Sequence, residues 1–314
     1  MLRSETREVV SIRQIGIPRA LYYFHYHTLW RRFFEELGFE VVVSPPTNKQ
    51  ILDGGLTTCV DGACLAIKSY VGHSLALVAQ DVDYLFVPQI TSVARQEYTC
   101  PYFLGLPDVL RQYVPPSTQL LSPVLDARKR ETALGESFVR LGLSFARPTT
   151  VRRAWNQALE QQRVEEESAH QVCAEKHRLQ ILILGPRYLI DDPFLNGNLC
   201  ERLRSMGAQV YTASQVPEER SWYLNRSLAK RLFWSSARRS MGAVEYFLDR
   251  LDGVISLSPF GCGAESLVGV LIARRARERS VPMMALNIDE HSSEVGMVTR
   301  LEAFCDLIER KKSG

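Results

Sequence analysis

Short apolar runs closed by glycine or proline alternate with helix-periodic stretches along most of this 314-residue chain. That alternation restricts the fold more than any other property. The runs in the first part are residues 11–17 (SIRQIGI), 40–44 (EVVVS), 84–87 (YLFV) and 119–121. In the second part they are residues 179–184 (LQILIL), 209–211, 254–257 and 282–288. Each suits a buried strand, too short and too rich in β-branched residues for a core helix. Between them, Leu29, Phe33 and Leu37 recur four apart and end at Gly38; Ile67, Val71, Leu75 and Val78 share one helical face; Leu195, Leu199 and Leu203 follow an Asp192-Pro193 cap and end at Gly207. Strands and helices in alternation imply parallel sheets covered on both faces. The expected fold is α/β: two Rossmann-like, doubly wound lobes, residues 1–127 and 179–314, with the site in the cleft between them. Residues 128–178 are charged and helix-prone, and read as one or two connecting helices in which Trp155, Leu159 and Val172 pack. Neither GxGxxG after the first strand nor a Walker loop occurs, so a nucleotide site of those kinds is not expected.

The bulk properties narrow the function classes. Net charge is only +3 and the basic residues are scattered, which argues against nucleic acid. No segment approaches the roughly 20 apolar residues of a membrane span, and the start, MLRSETREVV, lacks the apolar core of a secretory signal. A cytoplasmic protein is expected. In that compartment the seven cysteines point to packing, redox chemistry or metal more than to disulfides, and an odd number does not pair completely.

Three cysteines share a setting. In LDGVISLSPFGCGAESLVG (residues 251–269), a buried strand runs into a glycine-flanked Cys262 and then into a helix carrying Leu267, Val270 and Leu271. A thiolate there lies at the C-terminal edge of a strand, where open α/β sheets bind ligands, and at a helix N-terminus, which favours anions. Cys64 opens another helix behind Asp61, and Cys100 sits in the loop after a strand, before Pro101. A Cys-Pro pair also ends a common bacterial cluster motif. No CxxC occurs, however, and free buried cysteine is common. Residues alone therefore leave two readings open, a shared metal or cluster site and plain packing. Cys59 reads as a bystander, and Cys173, Cys200 and Cys305 as packing. His73 reads as a satisfied buried histidine. The run Asp289-Glu290-His291 offers acid–base groups at Glu290 and His291, or a polar helix start capped by Ser292 and Ser293. Thr299-Arg300 and Arg19 are anion-binding candidates, and the aromatic run at Tyr22, Tyr23, Phe24 and Tyr26 suits packing between lobes or subunits.

Residues 16–55 (GIPRALYYFHYHTLWRRFFEELGFEVVVSPPTNKQILDGG) resemble the standalone relatives of the 2-hydroxyacyl-CoA dehydratase and activase system, the acyl-CoA dehydratase activase-related proteins. The resemblance continues through VDGACLAIK (60–68), Gly72-His73, YTCPYFLGLPDV (98–109), PFGCGAESLVG (259–269) and IDEHSSEVGMVTRLEAF (288–304). It implies a [4Fe-4S] cluster held by Cys64, Cys100 and Cys262, with the fourth position left to water, substrate or bridging sulfide. It also implies low-potential electron transfer or dehydratase-type chemistry, an acyl-CoA substrate, and a partner activase ATPase or dehydratase subunit. The alternative is a non-catalytic scaffold or binding module for such a partner, and a further one is a small-molecule-binding α/β protein in which the thiols only pack. A homo-oligomer is a fair default. Gly62 stands where the group carries an acidic residue, and Ala264-Glu265 where it carries Pro-Asp. The ATPase part of true activases has no counterpart in these residues, so the resemblance makes the chain the non-ATPase part or a dehydratase-subunit-like protein.

Overall fold

The computed structural model describes residues 12–169, 178–225, 232–291 and 294–313. Cys173, Val172, Ser292, Ser293 and the first residues of the arginine-rich stretch lie outside them. In the first half, β1 (Gln14–Ile17), α1 (Tyr23–Glu36), β2 (Glu40–Val43), α2 (Lys49–Thr58), α3 (Leu65–Val78), β3 (Tyr84–Phe86), β4 (Gln89–Ser92), α4 (Pro101–Leu110), β5 (Gln119–Leu121) and β6 (Val124–Asp126) follow in order. Next come α5 (Ala133–Gly142) and α6 (Pro148–Ala169). The second half holds β7 (Leu179–Leu184), α7 (Arg187–Ile190), α8 (Leu199–Ser205), β8 (Ala208–Thr212), α9 (Glu218–Leu224), α10 (Ser235–Phe247), β9 (Gly253–Pro259), α11 (Gly263–Glu278), β10 (Met283–Ile288) and α12 (Glu294–Ser313).

Two four-stranded sheets result, ordered β2-β1-β3-β5 and β10-β9-β7-β8. Every pairing in them is parallel. This is a mixed α/β arrangement consistent with Rossmann-like architecture. Counted within each half, both sheets run second, first, third, fourth. A parallel sheet must be covered on both faces, and β9 accordingly has no exposed residue. β4 and β6 form a separate parallel ribbon that carries β3 and β5 onward.

The helical stretch after residue 128 packs into the first half. Phe138 of α5 and Val151, Ala154 and Ala158 of α6 belong to the aromatic core around Phe33, Phe34 and Phe86. Trp155 stacks on Phe138 with ring centroids 5.2 Å apart, whereas Leu159 is about half exposed and Val172 is not among the described residues. α1 kinks at Tyr26 (φ −130°, ψ 16°). At the kink the Gln162 side chain stands in for the broken helical bond: its Oε1 accepts from the Leu29 N–H (3.2 Å) and its Nε2 donates to the His25 carbonyl (2.8 Å). A buried amide pair left open would cost about 1–3 kcal/mol per group.

Two expectations about helices are corrected. The leucine-periodic stretch after Asp192 is not one helix, because Gly197 and Asn198 both adopt positive φ, near 60°. Asp192 caps a turn through Phe194 and Leu195, and α8 begins only at Leu199; Leu195, Leu199 and Leu203 are nonetheless buried together. On α11 the apolar residues at Leu267 and Val270 face solvent, and the buried line is Val268, Ile272 and Ala276.

α3 is buried on all sides from Leu65 to Ser74. It lies so close to α2 that glycine is required at the crossing: a Cβ on Gly55 would sit 1.8 Å from the Lys68 carbonyl oxygen, and one on Gly72 2.0 Å from that of Ile51. Polar contacts then tie α3 and its surroundings to the second half. His73 is fully buried, with Nδ1 2.9 Å from the Ser44 hydroxyl and Nε2 2.9 Å from that of Thr47, which donates onward to Asp192. Elsewhere the buried Glu97 pairs with Arg238 of α10, and the Tyr98 N–H donates to the Phe233 carbonyl at 2.8 Å.

Candidate functional site

In the order second-first-third-fourth, the crossovers change direction between the first and third strands, and ligands bind outside the carboxyl ends of the strands there. The corresponding loops follow β1 (Leu21, Tyr22), the β3–β4 extension (Cys100), β7 (Gly185 to Tyr188) and β9 (Cys262). All of them line one pocket holding about 1290 Å³ of space, its open mouth included. Cys64 lines it too. The structure thus brings the three cysteines singled out in the sequence to a single pocket.

Each cysteine is the N-cap residue of a different helix: Cys64 of α3, Cys100 of α4 and Cys262 of α11. All three have extended backbone there, which turns the chain from loop into helix. Pro101 at the first position of α4 costs no hydrogen bond, since that N–H has no helical partner. Gly261 takes φ +80°, and even a Cβ on it would reach Cys64 at 3.9 Å, so the loops bearing Cys64 and Cys262 meet. The helix dipoles favour anionic sulfur. Burial opposes it: the Cys262 thiol is pushed up to about 11 by desolvation, partly offset by the Glu265 amide, and desolvation raises Cys100 as well. The described cysteines other than these are Cys59, Cys200 and Cys305, all free; Cys305 is buried in an apolar cluster and Cys200 packs against the same one.

The rest of the lining is aromatic with a few polar groups. Tyr22 and Tyr26 stack at 6.0 Å (interplanar angle 9°) on one wall, and Tyr188 comes from the other half. Burial raises all three phenols and drives the neighbouring His25 well below its ordinary value, so these groups are neutral at pH 7. Glu265 is buried with its carboxyl raised by desolvation, which a nearby Ser236 hydroxyl partly offsets. Arg187 and Arg239 enter the lining with carboxylate partners, Asp191 at 2.7 Å and Glu218 at 3.0 Å.

Glu290 and His291 fall elsewhere. Glu290 follows β10 and pairs with the nearly buried Lys68 at 3.0 Å; its own backbone N–H and Lys68 hold it below the usual carboxylate range. His291 is exposed, its N–H on the Asp289 carboxylate at 2.9 Å. Neither lines the pocket. Arg19 lies outside it as well, its guanidinium 5.9 Å from the Tyr23 ring centre, and Arg300 is exposed on α12. Tyr22 and Tyr26 line the pocket, while Tyr23 and Phe24 are buried in the aromatic core. Tyr188, Arg239 and the Glu97–Arg238 pair were not anticipated from the sequence. Tyr188 follows a predicted strand, so the rule that drew attention to Cys262 applies to it equally; the ion pair spans residues too distant in sequence for any local pattern to join.

Among the described residues no three His, Cys, Asp or Glu side chains stand close enough to hold a single metal ion. A cluster spreads its thiolates over different metal atoms, farther apart than one ion allows. Three thiols on separate helix N-termini around an open pocket suit the cluster, by donor chemistry, better than the lone ion.

Residues 14–216 match the family model of the CoA enzyme activase uncharacterised domain (DUF2229). The match takes in Cys64 and Cys100 and ends before Cys262. A search of curated proteins found no match. Among solved structures, the crystal structure of ZnuA aligns over 94% of this chain and 98% of that chain, at 8% identity and a TM-score of 0.30. A likeness that weak carries no argument. No helix among the described residues is long and apolar enough to cross a membrane.

Proposed function

The chain belongs to the family of the CoA enzyme activase uncharacterised domain, and from that premise we propose that it is an iron–sulfur protein holding a [4Fe-4S] cluster through Cys64, Cys100 and Cys262. The cluster would sit in a cleft between two Rossmann-like lobes, and the protein would work in the cytoplasm beside an activase ATPase or dehydratase subunit. The observation that carries this reading is the meeting of three helix-capping cysteines at one pocket. Three protein thiolates are one short of the usual four, so a cluster there would leave one iron open as a Lewis acid, or would pass electrons at low potential were that iron closed. The chain's own residues would do the rest. The three helix N-termini offset negative charge, the tyrosine-lined wall excludes water, and the buried Glu265 carboxyl, its proton held more tightly by desolvation, offers a polar contact. Glu290 and His291, the acid–base pair the sequence offers, would act outside the pocket as the structure stands, and Glu290, held below the usual carboxylate range by its amide and Lys68, is a weak base there. The substrate would be an acyl-CoA, and the protein a homo-oligomer in solution.

Purification without oxygen, with iron, acid-labile sulfide and absorption measured together, tests the reading. About four irons and four sulfides per chain are expected, and their loss in the Cys64→Ser/Cys100→Ser/Cys262→Ser protein. Full iron in that triple variant refutes the ligand assignment. A second reading, a non-catalytic scaffold for the partner subunit, is supported by the same family membership. A folded, iron-free protein that co-purifies with such a partner supports it.

A further inference from the structure

We infer that a second, apolar cavity adjoining the cysteine pocket receives the tip of the ligand's acyl chain. That the guest is an acyl chain rests on the acyl-CoA reading above; the cavity itself does not. It lies where the chain leaves β1 and β3, at Pro18 and Pro88, and holds about 270 Å³ of space, its opening included. Leu21, Tyr22 and Phe103 line both this cavity and the larger pocket, so these three residues separate the two spaces. The Tyr22 and Phe103 rings meet edge to face, their centroids 5.2 Å apart.

Three departures from good packing coincide there. Close-packed interiors leave few voids larger than a water, yet this one stands between the two core clusters of the first half, Leu21 and Leu106 belonging to one and Trp30 and Phe86 to the other. Leu21 takes φ 55°, left-handed backbone that a non-glycine residue keeps only where its surroundings over-determine it, as at ligand sites. Tyr70, also in the wall, is buried with no partner for its hydroxyl among the described residues, a loss that phenylalanine of the same shape avoids. A buried water needs two to four polar partners, and walls as apolar as these suit a hydrocarbon guest instead. The void is reached past Leu21 and Tyr22, from the loop that already lines the cysteine pocket.

Xenon is the probe for the cavity, and methyl NMR of the full chain the readout. Under xenon pressure the Leu21, Ile90 and Leu106 methyl signals are expected to shift, while those of Leu203, in the core of the second half, stay in place. Saturating butyryl-CoA should abolish those shifts and CoA should leave them. Calorimetry should find butyryl-CoA bound about tenfold more tightly than acetyl-CoA, the effect of burying two more methylene groups. Leu106→Phe fills the cavity and should remove that preference; should it not fold, the xenon competition in the wild type decides alone. No xenon shift at the three methyl groups overturns the inference. Xenon shifts that persist under saturating butyryl-CoA overturn it too, and leave the acyl-CoA reading intact. A chain that binds neither CoA nor its thioesters overturns the acyl-CoA reading, and the inference with it.

Discussion

Gly54 and Gly55 are neighbours in α2, and the structure gives them opposite fates on substitution. A Cβ on Gly54 meets nothing within 4 Å. Alanine there gains helix propensity and loses unfolded-chain entropy, which stabilises by about 0.5–1 kcal/mol. On Gly55 the Cβ would stand 1.8 Å from the Lys68 carbonyl oxygen, where real Cβ atoms keep at least 3.0 Å. The obstacle is backbone, so it cannot rotate away, and α2 must move from α3 by more than an ångström. Overpacking of that kind costs about 1–3 kcal/mol and sometimes more. After the propensity gain, Gly55→Ala is expected to destabilise by about 2 kcal/mol, some 3 kcal/mol apart from Gly54→Ala. Urea unfolding of both variants, with m-values held equal, measures the difference. Gly72→Ala approaches the same crossing from the other side, so the double variant with Gly55→Ala should cost less than the two singles added. If Gly55→Ala is as stable as Gly54→Ala, within about 0.5 kcal/mol, the close crossing is wrong. The position of Cys64, one residue before α3, is then wrong as well.

His73 makes the protein acid-sensitive through a calculable window. Burial pushes it down to about 3 from an ordinary 6.5, so the unfolded chain takes up a proton that the fold refuses. Its contribution is intact above 6.5 and is lost as pH falls toward 3: about 2.7 kcal/mol by pH 4.5, at 1.36 kcal/mol per unit. Carboxyls raised by burial, such as Asp192, oppose this, so the figure is read as the pH-dependent difference between wild type and His73→Gln; a constant difference from pH 7 to 4.5 contradicts it. Gln162→Ala leaves the Leu29 N–H and the His25 carbonyl open at the α1 kink and should cost at least about 2 kcal/mol by denaturant titration. A loss under 0.5 kcal/mol would mean those groups find other partners. Arg238→Ala strands the buried Glu97 and should cost about 3–5 kcal/mol, whereas Glu97→Leu with Arg238→Met should recover most of it. Failure of the double variant to recover would show that packing, not charge, decides that contact.

Much of the fold can be read locally. Strands such as 179–184 announce themselves because a buried parallel strand needs an unbroken apolar run, and Gly38 and Gly207 mark helix ends by the positive φ they adopt. The α8 region misleads because leucine spacing reports which side chains are buried, not whether the backbone between them stays helical. α11 misleads in the other sense: Leu267 and Val270 are apolar yet exposed, and hydrophobicity alone does not choose between two faces of a mixed helix. The cysteines were found through their strand-to-helix positions, and their convergence depends on two crossovers having one topology. Lys68–Glu290 and Glu97–Arg238 join residues 222 and 141 apart in the chain; no periodic signal carries such pairings.

The shared strand order has a consequence for anything that occupies the pocket. Cys100 and Cys262 open the helices that follow the third strand of their own sheets. Cys64 opens the helix leading into the third strand of the first, and the counterpart leading into β9 is α10, whose first residues are Ser235 and Ser236. All four of these helix starts border the pocket. At the N-cap position three corners of a repeated frame therefore carry sulfur, and the fourth carries the Trp234 ring with two hydroxyls just inside it. A guest with two alike ends would find a frame that is duplicated in its backbone but polarised in its chemistry, soft on three sides and hard on one.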